Sequence, residues 1–138
     1  MACAPVSTET LKRTATRLLV CVEQVNRGAV FSNKEEFHKQ GTRLLKKVLS
    51  ELGVDGDVRS CKGGPAVCGE VILHTDKVYV CLCVPSFGAA LQFYFRTCRG
   101  RRDYSGGPNR WYSWEKLAAE PAEFVYILRD MTNSEGEK

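Results

Sequence analysis

The hydrophobic positions of this chain change period partway along it. From Ser7 to Asn26, Leu11, Ala15, Leu18, Leu19, Val22 and Val25 recur at the spacing of one helical face, with Lys12, Arg13, Arg17 and Gln24 on the remainder. The pattern predicts an amphipathic helix that Ser7 or Thr8 can cap and Gly28 can stop. A second stripe follows in Phe37, Gly41, Leu44, Leu45, Val48, Leu49 and Leu52. Ser32-Asn33-Lys34-Glu35 matches a capping box, in which hydroxyl and carboxylate satisfy free amide donors reciprocally, so the second helix is expected to start there. Gly53 suits the left-handed turn after it. Gly41 costs a helix about 1 kcal/mol relative to Ala. Its place inside the apolar stripe implies close approach of another element.

Beyond Gly53 the period shortens to two. Val58 to Cys61 reads as a short edge strand, and Lys62-Gly63-Gly64-Pro65 breaks the chain again. Cys68 to His74 alternates, with Val71 and Leu73 on one face and Glu70, Ile72 and His74 on the other. A turn at Thr75-Asp76 leads to a strand from Lys77 to Val84 that is apolar on both faces and is therefore expected to be central. After a turn at Pro85-Ser86-Phe87-Gly88, Ala90 to Thr97 sets Leu91, Phe93 and Phe95 against Gln92, Tyr94 and Arg96.

Ser113 caps a short helix to about Glu120, and Pro121 suits the first position of another, with Phe124, Ile127, Leu128 and Met131 on one face. A strand from Phe124 to Leu128 is the alternative. Residues 1–6 read as a loose arm and 132–138 as a frayed tail. The order predicts an α+β fold. Two N-terminal amphipathic helices pack on a mostly antiparallel sheet of three to four strands, one or two short C-terminal helices follow, and residues 1–138 form a single domain.

Composition narrows the class. A chain of 138 residues fits one domain, and no stretch approaches the 18 or more apolar residues of a membrane span. Met1-Ala2-Cys3-Ala4-Pro5-Val6 lacks the basic region and apolar run of a signal peptide. Seven cysteines without such a signal point to reduced thiols and an intracellular protein that is not secreted. Charge is uneven. Residues 1–53 carry nine basic and five acidic side chains, 96–114 five and one, and 115–138 three and six. Two basic zones are thus opposed by an acidic end, so polyanion binding is a hypothesis rather than a default.

The candidate chemistry lies in 96–114. Arg99, Arg101, Arg102 and Arg110 stand among Tyr104, Trp111 and Tyr112, with Gly100, Gly106 and Gly107 permitting close approach. Arginine offers a planar fork of donors to phosphate or carboxylate, and aromatic rings stack on bases or anchor protein interfaces. These seven side chains form the expected binding surface. The competing reading is a self-packed loop, in which Asp103 pairs with an arginine while Trp111 and Trp114 bury against the sheet.

Catalytic readings fare worse. A cysteine-phosphatase loop needs Arg six positions after Cys, and Tyr104 occupies that place after Cys98. No Cys-x-x-Cys pair is present for zinc, and Cys81-x-Cys83 lies within a strand. Glu70 and Asp76-Lys77 are the only strand candidates for a metal nuclease. No catalytic residue, metal ligand or cofactor is assigned.

The run from Cys98 to Trp111, Cys-Arg-Gly-Arg-Arg-Asp-Tyr-Ser-Gly-Gly-Pro-Asn-Arg-Trp, resembles a segment of small uncharacterised proteins of iridoviruses and related large DNA viruses. The strands around Val78-Tyr79-Val80 and Phe93-Tyr94-Phe95-Arg96 fit the same resemblance. It implies an intracellular viral protein made in an infected cell, early and regulatory, and it brings no catalytic residues. The expectation is a non-enzymatic interaction module that binds a protein partner through the 96–114 loop, because the acidic C-terminal segment limits the positive field. Nucleic acid on the same loop, aided by Arg43, Lys46 and Lys47, is the alternative, and a metal-dependent nuclease-like enzyme comes third.

Overall fold

The two helical stripes become α1 (Thr8–Asn26) and α2 (Val30–Leu52) in a computed structural model that describes residues 8–64, 67–84, 90–103 and 106–134. Leu11, Ala15, Leu18, Val22 and Val25 of α1 are buried, as are Phe37, Leu44, Leu45 and Val48 of α2. Gly28, at φ 106°, ends α1, and its amide donates to the Val25 carbonyl at 2.9 Å. The chain re-enters a helix at once, so α2 starts at Val30 rather than at Ser32. The capping box does not form. The Asn33 side-chain amide instead donates to the Ala29 carbonyl at 2.7 Å. Gly53 closes α2 in the left-handed region at φ 70°, where a Cβ would be strained. Residues 1–6, Ser7 as a cap and the turn Pro85-Ser86-Phe87-Gly88 lie outside the described residues.

Five strands follow: β1 (Gly56–Cys61), β2 (Glu70–Thr75), β3 (Val78–Leu82), β4 (Gln92–Thr97) and β5 (Arg110–Ser113). They form one antiparallel meander in sequence order, which makes β3 the central strand. The count exceeds the expected three to four because β5 emerges from what reads as loop. Three residues between Pro108-Asn109 and the Ser113 cap are too few to display an alternation. Between β2 and β3 the Thr75 hydroxyl accepts from the amides of Lys77 (3.1 Å) and Val78 (3.0 Å), a side-chain substitute for a glycine turn.

Ser113 caps α3 (Trp114–Ala119), its hydroxyl accepting from the Lys116 amide at 3.1 Å. Pro121 opens α4 (Pro121–Ser134), so the strand alternative for 124–128 is replaced by helix. The helix also takes in Thr132 and Asn133, which the sequence reads as frayed tail, while 135–138 lie outside the described residues. The fold is α+β.

All four helices lie on one face of the sheet. Leu11, Leu18, Phe37, Leu44, Val71, Val80, Phe93, Trp114, Phe124 and Leu128 belong to one core cluster. Gly41 is where α2 meets the sheet. A Cβ there would sit 2.9 Å from Val71 Cγ2 and 3.5 Å from Leu82 Cδ1. Val71 is β-branched and stiff, so Gly41→Val is expected to destabilise the fold by about 1–3 kcal/mol, measured as a lower denaturation midpoint. A gain would show that α2 can slide off the sheet at little cost.

One turn before Gly41, α2 is also fastened by His38. Its Nε2 lies 2.7 Å from the Cys68 carbonyl, which can only accept, so Nε2 carries the proton. Nδ1 then accepts from the Ser60 hydroxyl at 2.5 Å. His74 similarly donates from Nε2 to the Gly100 carbonyl at 3.0 Å. Burial holds the pKa of both rings below the ordinary value. The folded state therefore keeps these histidines neutral. Their contribution is complete above the unfolded pKa of about 6.5 and is lost as pH falls below it toward the depressed folded values. The urea midpoint is expected to drop between pH 7.5 and 5.5, and His38→Gln is expected to flatten that slope. An equal slope in the variant would remove His38 from the account.

Candidate functional site

The sheet has a second face that none of the described helices covers. Alternation places Ile72 and His74 of β2, Tyr79 and Cys81 of β3 and Tyr94 and Arg96 of β4 on it, with Trp111 of β5 opposite Tyr94. A separate small cluster of Ile72, Tyr79, Cys81 and Cys98 forms its apolar floor, with Cys83 and Tyr94 packed alongside. Tyr79 is the hub. The Arg96 guanidinium carbon stands 3.9 Å from its ring centroid, and the His74 ring meets it edge-on at 5.0 Å. Beside this stack the Trp111 ring lies 5.3 Å from the Tyr94 ring. Arg96 is buried, whereas Trp111 is 55% exposed although it is a large apolar ring.

The 98–109 connection is pinched at its base. The Gly107 amide donates to the Thr97 carbonyl at 3.1 Å, and a Cβ on Gly106 would overlap that carbonyl. Glycine at 106 is what lets β5 return beside β4. The connection then folds toward the helix-free face. His74 donates to the Gly100 carbonyl, and the Cys98 thiol donates to the Thr75 carbonyl at 3.3 Å. Arg101 lies 3.7 Å from Asp57 Oδ2 and 3.5 Å from Asp76 Oδ1. Its enclosed Nε makes a charge contact with Asp76 rather than a hydrogen bond. Arg101 therefore ties the loop to β1 and to the β2–β3 turn. Asp103 receives the Arg99 backbone amide at 2.9 Å, leaving the Arg99 side chain exposed.

The seven expected binding residues are thus divided. Arg99 and Arg102 are exposed, and Trp111 is exposed on the helix-free face. Arg101 is engaged by two carboxylates. Arg110, opposite Phe95, projects from the other side of β5. Tyr112 is a correction. It is 7% exposed and packs on Phe93, Phe95 and Phe124, so it belongs to the core. Burial raises its pKa to about 12, with the Glu123 carboxylate adding to the rise. Tyr104 lies outside the described residues.

Trp114, assigned with Trp111 to the sheet-buried alternative, is fully buried while Trp111 is not. The sequence reading omitted Tyr94, Tyr79 and Arg96 from the site. Alternation in β4 already separates Tyr94 and Arg96 from Phe93 and Phe95, but their partner Trp111 comes into register only through β5.

Two buried thiols of this face have raised pKa values, and that of a third thiol, Cys83, is lowered chiefly by its hydrogen bond with Cys81. Burial pushes the Cys98 thiol up, whereas a nucleophile needs a lowered pKa. Its neighbour Cys83 and then burial raise the Cys81 thiol as well. Glu70 and Asp76 sit at opposite ends of β2, about 20 Å apart along a strand rising about 3.4 Å per residue. Among the described residues no three His, Cys, Asp or Glu side chains converge as a metal site would need, and no helix is long and apolar enough to cross a membrane. No family model, curated protein or solved structure matches the chain. The site therefore has to be read from its own chemistry.

Proposed function

We propose that this protein is a non-enzymatic module that binds single-stranded nucleic acid on the helix-free face of its sheet. The observation that carries this reading is the Trp111 ring, more than half exposed and tilted against Tyr94 on the face that none of the described helices covers. Exposed rings take up successive bases by stacking, and cations beside them track the backbone. Arg99 and Arg102 supply exposed cations where the loop leaves this end of the sheet.

The acidic C-terminal segment argues less against this than its sequence position implies. Glu115 and Glu123 stand on α3 and α4 and Glu120 between them, and Trp114, Leu117, Phe124 and Leu128 of these helices pack into the core on the other side of the sheet. On the resemblance to iridoviral proteins, such a module acts as an early regulator inside an infected cell.

A protein partner is the second reading. It is favoured by β5, which among the described residues pairs only with β4 and could accept an added peptide strand at its outer edge. Salt separates the two. A labelled oligothymidylate should bind saturably at low salt, and log K should fall with log[salt] by about 0.7 per phosphate neutralised. Absence of binding at low salt would reject the nucleic-acid reading.

A further inference from the structure

On the opposite side of the molecule, the helical hairpin carries a row of cations that the sheet-face site does not use. The Thr14 hydroxyl of α1 receives Lys47 of α2 at 3.3 Å, and Cys21 of α1 feels the field of Glu36 of α2. The helices therefore run antiparallel. With equal rise per residue, Arg17 sits opposite the turn of α2 that holds Arg43. Arg13 and Arg17 project from one helix and Arg43 and Lys47 from the other, with Lys46 just outside. Burial, together with the like charges of Arg43 and Arg13, lowers the pKa of Lys47. Among the described residues no carboxylate lies within ion-pair distance of Arg13, Arg17, Arg43, Lys46 or Lys47. The hydrogen-bonded acids nearest in sequence are engaged elsewhere: Glu36 with Gln40 and Glu51 with Arg129.

Like charges held together without counter-charges oppose folding, and a solvated helix face does not need them to converge across two helices. A row of this kind is matched by a polyanion. Within each helix the cations are one turn apart, about 6 Å, so the row sets several positive charges along a phosphate backbone rather than a single one. Three of the four central cations are arginines, whose forked donors fit phosphate oxygens.

We infer that the seam between α1 and α2 is a second, sequence-independent binding surface for the phosphate backbone of duplex nucleic acid. It stands on the face opposite the single-strand site and does not depend on it. Bases stacked inside a duplex are not available to Trp111, so the two sites take different forms of the ligand.

The test is a salt titration of a labelled 20-base-pair DNA duplex against the whole protein. With about four phosphates engaged, log K is expected to fall with log[salt] at a slope near about −3.6. Arg13→Gln with Arg17→Gln, and Arg43→Gln with Lys47→Gln, should each make that slope shallower by about two. The quadruple variant should lose duplex binding while its thermal midpoint is unchanged or raised, since repulsion is relieved. Duplex capture should leave tryptophan emission unquenched, whereas oligothymidylate stacking on Trp111 should quench it. The inference is overturned if the wild-type protein ignores duplex at low salt, if the variants keep its slope, or if they lose anionic vesicles rather than duplex. Quenching by oligothymidylate that persists in any of these cases leaves the sheet-face reading standing.

Discussion

Replacing Trp114 with alanine is expected to destabilise the fold by about 3–5 kcal/mol. Against about 5–15 kcal/mol for a whole domain, that leaves little folded protein at physiological temperature. Trp114 is fully buried where three elements meet. Its ring lies 4.8 Å from Phe93 of β4 and 6.3 Å from Phe37 of α2, and its own backbone begins α3. Its indole Nε1 donates to the Cys83 carbonyl at 3.1 Å, just past the end of β3. Truncation empties the centre of the core and removes that carbonyl's donor. Urea unfolding followed by circular dichroism measures the loss. Trp114→Phe keeps most of the volume and should lose clearly less. A midpoint shift in Trp114→Ala no greater than that of a surface variant would mean that the core is not organised around this ring.

Trp111, three residues earlier, should behave in the opposite way. Trp111→Ala removes a ring that is mostly in solvent, and its stability cost is limited to the tilted contact with Tyr94, about 0.5–1.5 kcal/mol. The expected loss is in binding. A base stacked on an aromatic side chain contributes about 1–3 kcal/mol, so affinity for an oligothymidylate should fall about 5- to 150-fold. Because tryptophan carries no charge, the salt slope should stay the same. Arg99→Gln with Arg102→Gln should do the reverse, making the slope shallower by about 0.7 per arginine lost. Arg101→Ala would confuse the comparison, since it also releases Asp57 and Asp76. Isothermal titration of the folded variants over several salt concentrations checks both halves. A Trp111→Ala protein that binds like the wild type places the ligand elsewhere.

The contrast between the two tryptophans also marks what the sequence could tell. Helices α1 and α2 are legible because long apolar stripes leave no other period, and Gly41 points to the close approach of another element, which the structure shows to be Val71 of β2. β2, β3 and β4 were legible from alternation, and β3 as central strand from having no polar face. The start of α2 was misread because Gly28 ends one helix so close to the next that Val30 begins it without a side-chain cap.

The site was only partly visible for a related reason. Arginines and aromatic rings crowd 96–114, but in β5 alternation sends Trp111 to one face and Tyr112 to the other, and that depends on a four-residue strand too short to register in a pattern. Nor could composition reveal that Arg101 would close on Asp57 and Asp76, which lie far from it in sequence. Tyr94 does not stand out in the sequence because its partner Trp111 belongs to a strand that reads as loop.

The most direct test of the sheet-face site follows the two indole N–H resonances in a nitrogen-15 correlation spectrum while an unlabelled oligothymidylate is added at low salt. The protein has two tryptophans, one exposed on the proposed face and one buried with its N–H bonded to Cys83. The account expects the Trp111 signal to shift and saturate while the Trp114 signal stays in place. Saturable binding with both signals unmoved would put the nucleic acid on another surface, and no change in any resonance at low salt would contradict the proposal outright.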